Sequence, residues 1–195
     1  MTRPKPIALV GLAVAVAVSG WLLFAGVSRS ADPRPPGQTG AEAPQPGPER
    51  RINVTLFFIS QDGLALVGAQ REVPLGEAVS DQARRIVEAQ LGAAPAPLAS
   101  AIPQGTTLRS VFIGANGEAF VDLSGDVTAR HTGGALDELF TVYAVVNALT
   151  VNLPAVTRVQ ILIDGKEVDT LAGHVDLRHP LQKSMNWVRT DKDAS

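Results

Sequence analysis

The chain opens with a long apolar run that lies between two polar stretches. Residues Ile7 to Val27 carry no charged side chain. A helix of this length, at ~1.5 Å per residue, covers roughly 32 Å and can cross a hydrocarbon core. Because lipid offers no partner for backbone N–H and C=O groups, a spanning segment is helical. Arg3 and Lys5 precede the run, which predicts that residues 1–6 lie in the cytoplasm and the rest of the chain outside it.

This pattern predicts a single-pass anchor at 7–27 in the bacterial cytoplasmic membrane, with the C-terminal domain outside the cytoplasm. Two alternatives stay open. A cleaved signal peptide would use Ser28-Arg29-Ser30 as its best cleavage site, although apolar regions of signal peptides usually span only about 7–15 residues. A buried core helix is the other alternative, but such a helix does not normally open a chain and precede a proline-rich spacer.

A linker rich in proline and glycine follows at residues 28–50. Between Ala31 and Arg50, six residues are proline and three are glycine. Such a segment buries too little apolar surface to offset the entropy of ordering, which predicts an extended or disordered spacer. The spacer precedes a predicted domain at 51–181 and a C-terminal tail at 182–195.

Alternation with a period of two marks the first strand of the domain. In Ile52–Ile59, apolar β-branched and aromatic side chains share one face, as is typical of a strand. Weaker strand signals follow at Leu64–Val67 and Gln70–Val73, and Pro74 ends the second of these or places it at an edge. A helical period then runs through Val79–Leu91, with charged residues on the opposite face.

Two tight turns organise the second half of the domain. Asn116-Gly117 lies between two strand-like runs and is the strongest short hairpin signal, because both residues tolerate positive φ. Asp164-Gly165 is a second turn of this kind. The predicted elements here are strands at 107–114 and 118–123, a helix at 134–150, a strand at 157–163 and a possible strand at 166–171.

The order of these elements predicts an α+β fold. Hairpins require antiparallel pairs, and amphipathic helices must cover a sheet face. We therefore expect a two-layer sandwich, a mainly antiparallel sheet with two helices packed on one face, preceded by the N-terminal transmembrane helix.

Charge and cysteine content exclude several function classes. Residues 51–195 hold 12 Lys or Arg against 16 Asp or Glu, a net charge near −4. This charge argues against nucleic acid as a partner, since nucleic-acid binding needs a basic face. The chain contains no cysteine, which removes disulfides, thiolate metal sites and cysteine nucleophiles.

Four stretches of the domain resemble the GerMN family, the sporulation and spore-germination domain of the GerM type. They occur in the family's order and cover about residues 52–181. The resemblance implies an envelope interaction module, similar in fold to ring-building motifs of secretion and sporulation channels, and supplies no catalytic residues. The stretches are Val54–Phe58 with Asp62-Gly63 and Arg71–Pro74; Ala101–Leu108; Ala119–Ser124 with Val145–Thr150; and Val159–Gly165 with Leu171–His174.

The sequence predicts no metal or cofactor site. His174 and His179 with Asp176 are the best metal candidate, but a five-residue spacing fits neither a helical pair nor one face of a strand. We expect these histidines to be solvated. Gly133-Gly134 precedes a helix, but acidic residues in its first turn would repel an anion.

Three polar residues on the predicted elements are candidates for a functional role. Asp122 and Asp126 could act as paired carboxylates in acid–base chemistry, although we expect a strand end and a turn there. Asn147 could bind a partner, but a buried amide satisfied by neighbouring backbone is the more economical interpretation. No catalytic residue is predicted.

The leading hypothesis is a non-enzymatic, membrane-anchored module that binds another envelope protein or itself. Edge strands expose unpaired backbone groups and are natural contact surfaces. The alternative is a domain that binds or hydrolyses a cell-wall polymer through residues such as Asp122 and Asp126. The predicted interaction edges are Arg71, Glu72 and Val73, or Lys166, Glu167, Val168, Asp169 and Thr170.

Overall fold

The computed structural model describes residues 49–189. The predicted anchor at 7–27, the segment at 1–6 and most of the linker lie outside these residues, as do positions 190–195. None of the helices between 49 and 189 combines the length and the hydropathy needed to cross a bilayer. Regular structure begins directly after the linker, at Arg51.

Within the described residues, eight strands and three helices alternate along the chain. The strands are β1 Arg51–Ile59, β2 Leu66–Pro74, β3 Leu108–Ile113, β4 Glu118–Leu123, β5 Arg158–Ile163, β6 Lys166–Glu167, β7 Leu181–Gln182 and β8 Val188–Arg189. The helices are α1 Val79–Leu91, α2 Asp126–Ala129 and α3 Ala135–Asn152.

The first sheet has three strands in the order β1-β2-β8. β1 and β2 pair antiparallel along their whole length, from Arg51 opposite Pro74 to Ile59 opposite Leu66. The sequence predicts two weak strands here, at Leu64–Val67 and Gln70–Val73. In the structure, the end of the first and the whole of the second belong to one continuous strand, β2. β8 pairs in parallel with the start of β2, at Leu66 and Val67.

The second sheet has five strands in the order β3-β4-β5-β6, and β7 also pairs with β5. β3 and β4 form the hairpin predicted from Asn116-Gly117. β5 lies parallel to β4, because α2 and α3 carry the chain back across the sheet between them, as a parallel neighbour requires. β6 and β7 both pair antiparallel with β5.

Both long helices contact both sheets. α3 packs against β1 of the first sheet and β5 of the second, and α1 contacts β1, β2 and β3 as well as α3. A helix that is apolar around its circumference is buried on all sides. The buried apolar residues of α3 are Phe140, Val142, Ala144, Val145, Val146, Ala148 and Leu149.

The α+β class is confirmed, and antiparallel pairs outnumber parallel ones, but the expectation of one sheet with both helices on one face is wrong. The strands divide between two mixed sheets. Strand periodicity indicates which face of a strand is apolar and carries no information on which sheet the strand joins. The broad apolar stripe of α3 reflects contact with both sheets.

The strand predicted at 166–171 ends at Glu167, and the following residues form a loop. This loop turns inward because the buried carboxylate of Glu138 accepts hydrogen bonds from the backbone N–H groups of Leu171 and His174, both at 2.8 Å. The side chain of Glu138 on α3 thus bonds backbone N–H groups that would pair with a neighbouring strand if β6 continued.

Candidate functional site

The outer edge of β1 is closed by side chains and a loop. The amide of Gln90 donates to the carbonyl of Phe57 at 2.7 Å and accepts from its N–H at 2.8 Å. The amide of Asn152 makes the same pair of bonds with Thr55, at 2.7 and 2.8 Å. Farther along the edge, Ile59 exchanges two backbone bonds with Ala99. The two amides and the backbone of Ala99 thus supply the hydrogen bonds that a neighbouring strand would otherwise make with β1.

The outer edge of β2 is open over much of its length. Thr55 points its backbone groups away from β2, toward Asn152, so its antiparallel partner Gln70 points its own groups away from β1. Gly68 and Glu72 each lie two positions from Gln70 along β2, so their backbone N–H and C=O groups also point away from β1. β8 pairs only with Leu66 and Val67, so in the described part of the chain no strand covers β2 from Gly68 onward.

The predicted edge residues Arg71, Glu72 and Val73 alternate in orientation along β2, so Glu72 differs from its two neighbours. Glu72 is exposed and faces the open edge, where its carbonyl also accepts a bond from the side chain of Arg51 at 3.1 Å. Val73 is buried. Arg71 turns to the helix side, where it donates to the carbonyls of Ala89 and Ala93 at the end of α1, at 2.9 and 2.6 Å. Of the three, Glu72 is therefore the one with both an exposed side chain and backbone groups that face the open edge.

The second predicted edge is shorter than a full strand. Lys166 and Glu167 are exposed and form β6 at the margin of the second sheet. Val168, Asp169 and Thr170 belong to the loop that follows. This edge therefore offers two charged residues rather than five consecutive pairing positions.

The carboxylate of Asp122 is committed to the structure of the second sheet. It is only 7% exposed, and it accepts from the guanidinium of Arg109 at 3.0 Å and from the N–H of Gly165 at 2.8 Å. Arg109 also approaches Asp164, at 3.4 Å. Asp122 thus ties β3 to the β5–β6 turn across β4, which the sequence spacing gave no means to foresee.

The other polar candidates also have partners within the chain. Asp126 at the start of α2 accepts from Arg130, directly after the end of this short helix, at 2.9 Å. Asn147 is buried, and its amide bonds both backbone groups of Ser184, as the interpretation of a satisfied buried amide expected. His174 lies 3.1 Å from Glu138. Among residues 49–189, no group of three or more His, Asp or Glu side chains is arranged to hold a metal ion.

Glu138 is the most enclosed carboxylate of the described domain. Burial works to raise the pKa of Glu138, but the backbone N–H groups of Ala172, His174, Leu171 and Val175 together hold it below its ordinary value of 4.5. We call these backbone donors around the Glu138 carboxylate the cradle. Most of them lie in the Leu171–His174 stretch, which carries part of the family resemblance. That stretch therefore has a structural role in holding the loop on α3.

A cavity of about 360 Å³ lies between the loop at 100–104 and the start of α3. His131 lines it, with Nδ1 accepting the N–H of Gly133 at 3.0 Å and Nε2 at 3.3 Å from the hydroxyl of Thr141. Thr141 in turn donates to the carbonyl of Ala101 at 2.6 Å. Both ring nitrogens are therefore engaged within the protein. The imidazole joins the segment before α3 to Thr141 on that helix, and Thr141 continues the connection to Ala101.

Phe112 on β3 is one of the exposed large apolar residues of the described domain, and the sequence pattern predicts no role for it. Its side chain is 64% exposed and its ring centroid lies 6.2 Å from that of Phe120 on the neighbouring strand. The signal in the sequence was the unbroken apolar run Val111-Phe112-Ile113. Since side chains alternate between the faces of a strand, one of two adjacent apolar residues must turn away from the core.

Comparison with known proteins identifies the fold. The model of the Germane family, described as sporulation and spore germination, matches residues 55–169. The tandem GerMN domains of the sporulation protein GerM from Bacillus subtilis are 21% identical, with a TM-score of 0.57 over 68% of this chain and 46% of that one. The first GerMN domain of the same protein is 22% identical, with a TM-score of 0.50 over 68% of this chain and 95% of that one. No curated protein matches the chain.

Proposed function

The chain belongs to the Germane family of sporulation and spore germination domains, and from this premise we propose that it is a non-enzymatic interaction or assembly module of the bacterial cell envelope. The proposed module is held outside the cytoplasm by the membrane helix predicted at 7–27. Its partner is another envelope protein or a second copy of the chain. The acidic charge of the domain argues against nucleic acid.

The open outer edge of β2 is the observation that supports this proposal most directly. Exposed edge positions at Gly68, Gln70 and Glu72 present backbone groups that an extended segment of a partner can pair with. The contrast with β1 is informative, because the domain closes that edge with Gln90 and Asn152. An edge strand is otherwise a site of unwanted pairing.

The state of the acidic residues supports the non-enzymatic part of the proposal. A catalytic acid–base pair must reach its substrate. Asp122 is instead held by Arg109 and Gly165, and Asp126 is paired with Arg130. The carboxylate of Asp122 thus connects separate segments of the domain, and that of Asp126 forms a local pair.

The proposal is tested by photo-crosslinking the full chain in its native cell from position 72 on the open edge. We expect discrete adducts to an envelope protein or to the chain itself. Exposed Glu88 on α1 supplies the matched control position, from which we expect few adducts. An equal set of adducts from positions 72 and 88 would show that the β2 edge has no special role.

A backbone variant tests whether strand pairing is the mechanism. Gln70→Pro removes an N–H that points to the outer edge and is not used in the β1–β2 ladder, so the domain should fold while the adducts from position 72 are lost. Gln70→Ala keeps this N–H and should keep the adducts. Adducts that survive in Gln70→Pro, with an unchanged circular dichroism spectrum, would contradict pairing at this edge.

A further inference from the structure

The margin of the second sheet opposite β6 differs in character from the other open edges. β3 is the terminal strand of this sheet, and its last three residues, Val111, Phe112 and Ile113, are uncharged and apolar. Phe112 is 64% exposed. At the opposite margin of this sheet, β6 consists of the charged residues Lys166 and Glu167. Charged residues can keep an edge strand from pairing, and the only charged residue of β3, Arg109, lies outside the run from 111 to 113.

The backbone of β3 is correctly oriented to pair outward. Gly114 donates to the carbonyl of Glu118 across the hairpin at 2.8 Å, and Phe112 lies opposite Phe120. Hydrogen-bonded positions alternate in an antiparallel pair, so Phe112 bonds to β4 while Val111 and Ile113 point their N–H and C=O groups away from it. In the described part of the chain, β3 has no strand on that side.

We propose that β3 pairs antiparallel with β3 of a second copy of this chain, about a two-fold axis at Phe112. In this register Val111 of each copy exchanges backbone hydrogen bonds with Ile113 of the other. The two Phe112 side chains then occupy a non-hydrogen-bonded pair, where cross-strand side chains are closest. Aromatic residues are among the favourable cross-strand pairs.

Self-complementarity is the reason for choosing a second copy as the occupant. A two-fold contact requires one surface patch to match itself, and an exposed Phe112 centred on its own two-fold does so. Charge is compatible with the register, because the pairing residues 111–113 are uncharged. Arg109 lies at a bulge outside them and is already paired with Asp122 at 3.0 Å. No two like charges face each other along the paired strands.

The size of the contact predicts weak association. Two short strands and two aromatic side chains bury much less than the ~1,600 Å² of a standard interface. The contact therefore depends on a high local concentration of the chain, which attachment of both copies to one membrane would provide. It uses a different edge from β2 and does not require the pairing proposed there.

The cysteine-free chain allows a direct test of the register. Phe112→Cys in the full chain places two thiols opposite each other on the two-fold, within the range that a disulfide spans. Ser110→Cys is the matched control, since it is exposed on the same face but would lie about 13 Å from its counterpart at roughly 3.3 Å per residue. Under mild oxidation in cells we expect roughly tenfold or more disulfide dimer at 112 than at 110.

Two further variants separate pairing from loss of the fold. Val111→Pro removes an N–H that points to the outer edge, so it should abolish sedimentation of the detergent-solubilised chain as a dimer at high concentration, with an unchanged circular dichroism spectrum. Val111→Ala keeps this N–H and should keep the dimer. Adducts from position 72 should persist in both variants, which distinguishes this proposal from that for β2. Equal dimer yields at 112 and 110, no dimer at 112, or a dimer that survives Val111→Pro would overturn the proposal.

Discussion

Buried polar side chains in this domain bind backbone groups of distant segments rather than one another. Gln90 holds Phe57, Asn147 holds Ser184, and Glu138 holds the loop at 171–175. Each of these side chains is fully buried, so its polar atoms would carry a desolvation cost if they had no partner. At the scale of single residues, the long-range hydrogen bonds of a few amides and one carboxylate position the irregular parts of the chain.

Replacement of Glu138 by Gln tests the carboxylate cradle. An amide nitrogen would confront backbone N–H donors, so we expect Glu138→Gln to lower the free energy of unfolding at pH 7 by about 2–4 kcal/mol. Urea denaturation measures the difference. Exposed Glu88→Gln is the control and should change stability by less than about 0.5 kcal/mol.

The same variant predicts a dependence on pH. Because the folded-state pKa of Glu138 is lowered from 4.5, its stabilisation is complete above about that pH. It is lost as the pH falls through the lower folded-state pKa. The stability difference between the native chain and Glu138→Gln should therefore shrink on acidification below pH ~4. A constant difference from pH 7 to pH 3 would contradict this role.

At the scale of elements, the ends of the two long helices replace a strand beside β1. Gln90 lies in the last turn of α1 and Asn152 ends α3, and each bonds both backbone groups of one β1 residue. The helices are thus fixed to the first sheet by directional contacts as well as by apolar packing. In the described residues, neither β3 nor the part of β2 from Gly68 onward has such a covering along its outer edge, and these are the strands for which we propose pairing.

Removal of the Gln90 amide tests whether this side chain stabilises β1 in place of a neighbouring strand. Gln90→Ala leaves the buried N–H and C=O of Phe57 without partners, and we expect a loss of about 2–5 kcal/mol in the free energy of unfolding. Chemical denaturation measures it. Gln70→Ala on the exposed face of β2, which loses only a bond to the hydroxyl of Thr55, should cost less than about 0.5 kcal/mol. Similar losses in both variants would show that the Gln90 bonds contribute little.

At the scale of the whole domain, the C-terminal segment joins the two sheets. β7 pairs with β5 of the second sheet, and β8 pairs with β2 of the first. Arg189 reaches Asp62 at the β1–β2 turn, at 2.9 Å. The Ser60 hydroxyl, Arg189 and the N–H of Leu64 lower the pKa of Asp62 to about 2. The described part of the predicted tail is therefore part of the fold.

Loss of the Asn147 amide should release this segment locally. In Asn147→Ala the backbone groups of Ser184 lose their partner, at a cost of about 1–3 kcal/mol, which corresponds to roughly 5- to 150-fold faster amide exchange. We expect this change at 181–189 and not in the β3–β4 hairpin, as measured by hydrogen–deuterium exchange. Thr150→Ala on the same helix, whose hydroxyl bonds only the carbonyl of Val146, should leave exchange at 181–189 unchanged. Uniformly faster exchange across the domain in Asn147→Ala would refute a local role.

Local sequence determined the elements that depend on neighbouring residues. The alternation at 52–59 specified β1, the apolar stripe at 79–91 specified α1, and Asn116-Gly117 specified the β3–β4 hairpin. Each signal has a local physical cause, either the period of side chains along a helix or strand or the backbone freedom of a turn. The family resemblance also rested on short stretches and is confirmed over residues 55–169.

Tertiary structure decided which strands share a sheet, which edges are covered and where the polar groups find partners. The amide of Gln90 lies 33 positions from Phe57, and that of Asn152 lies 97 positions from Thr55. No local pattern encodes such pairs, because they depend on how separately formed elements meet in space. For the same reason the sequence could place Glu72 on an edge but could not show that Phe112 faces solvent, since its exposure depends on what the rest of the fold leaves uncovered.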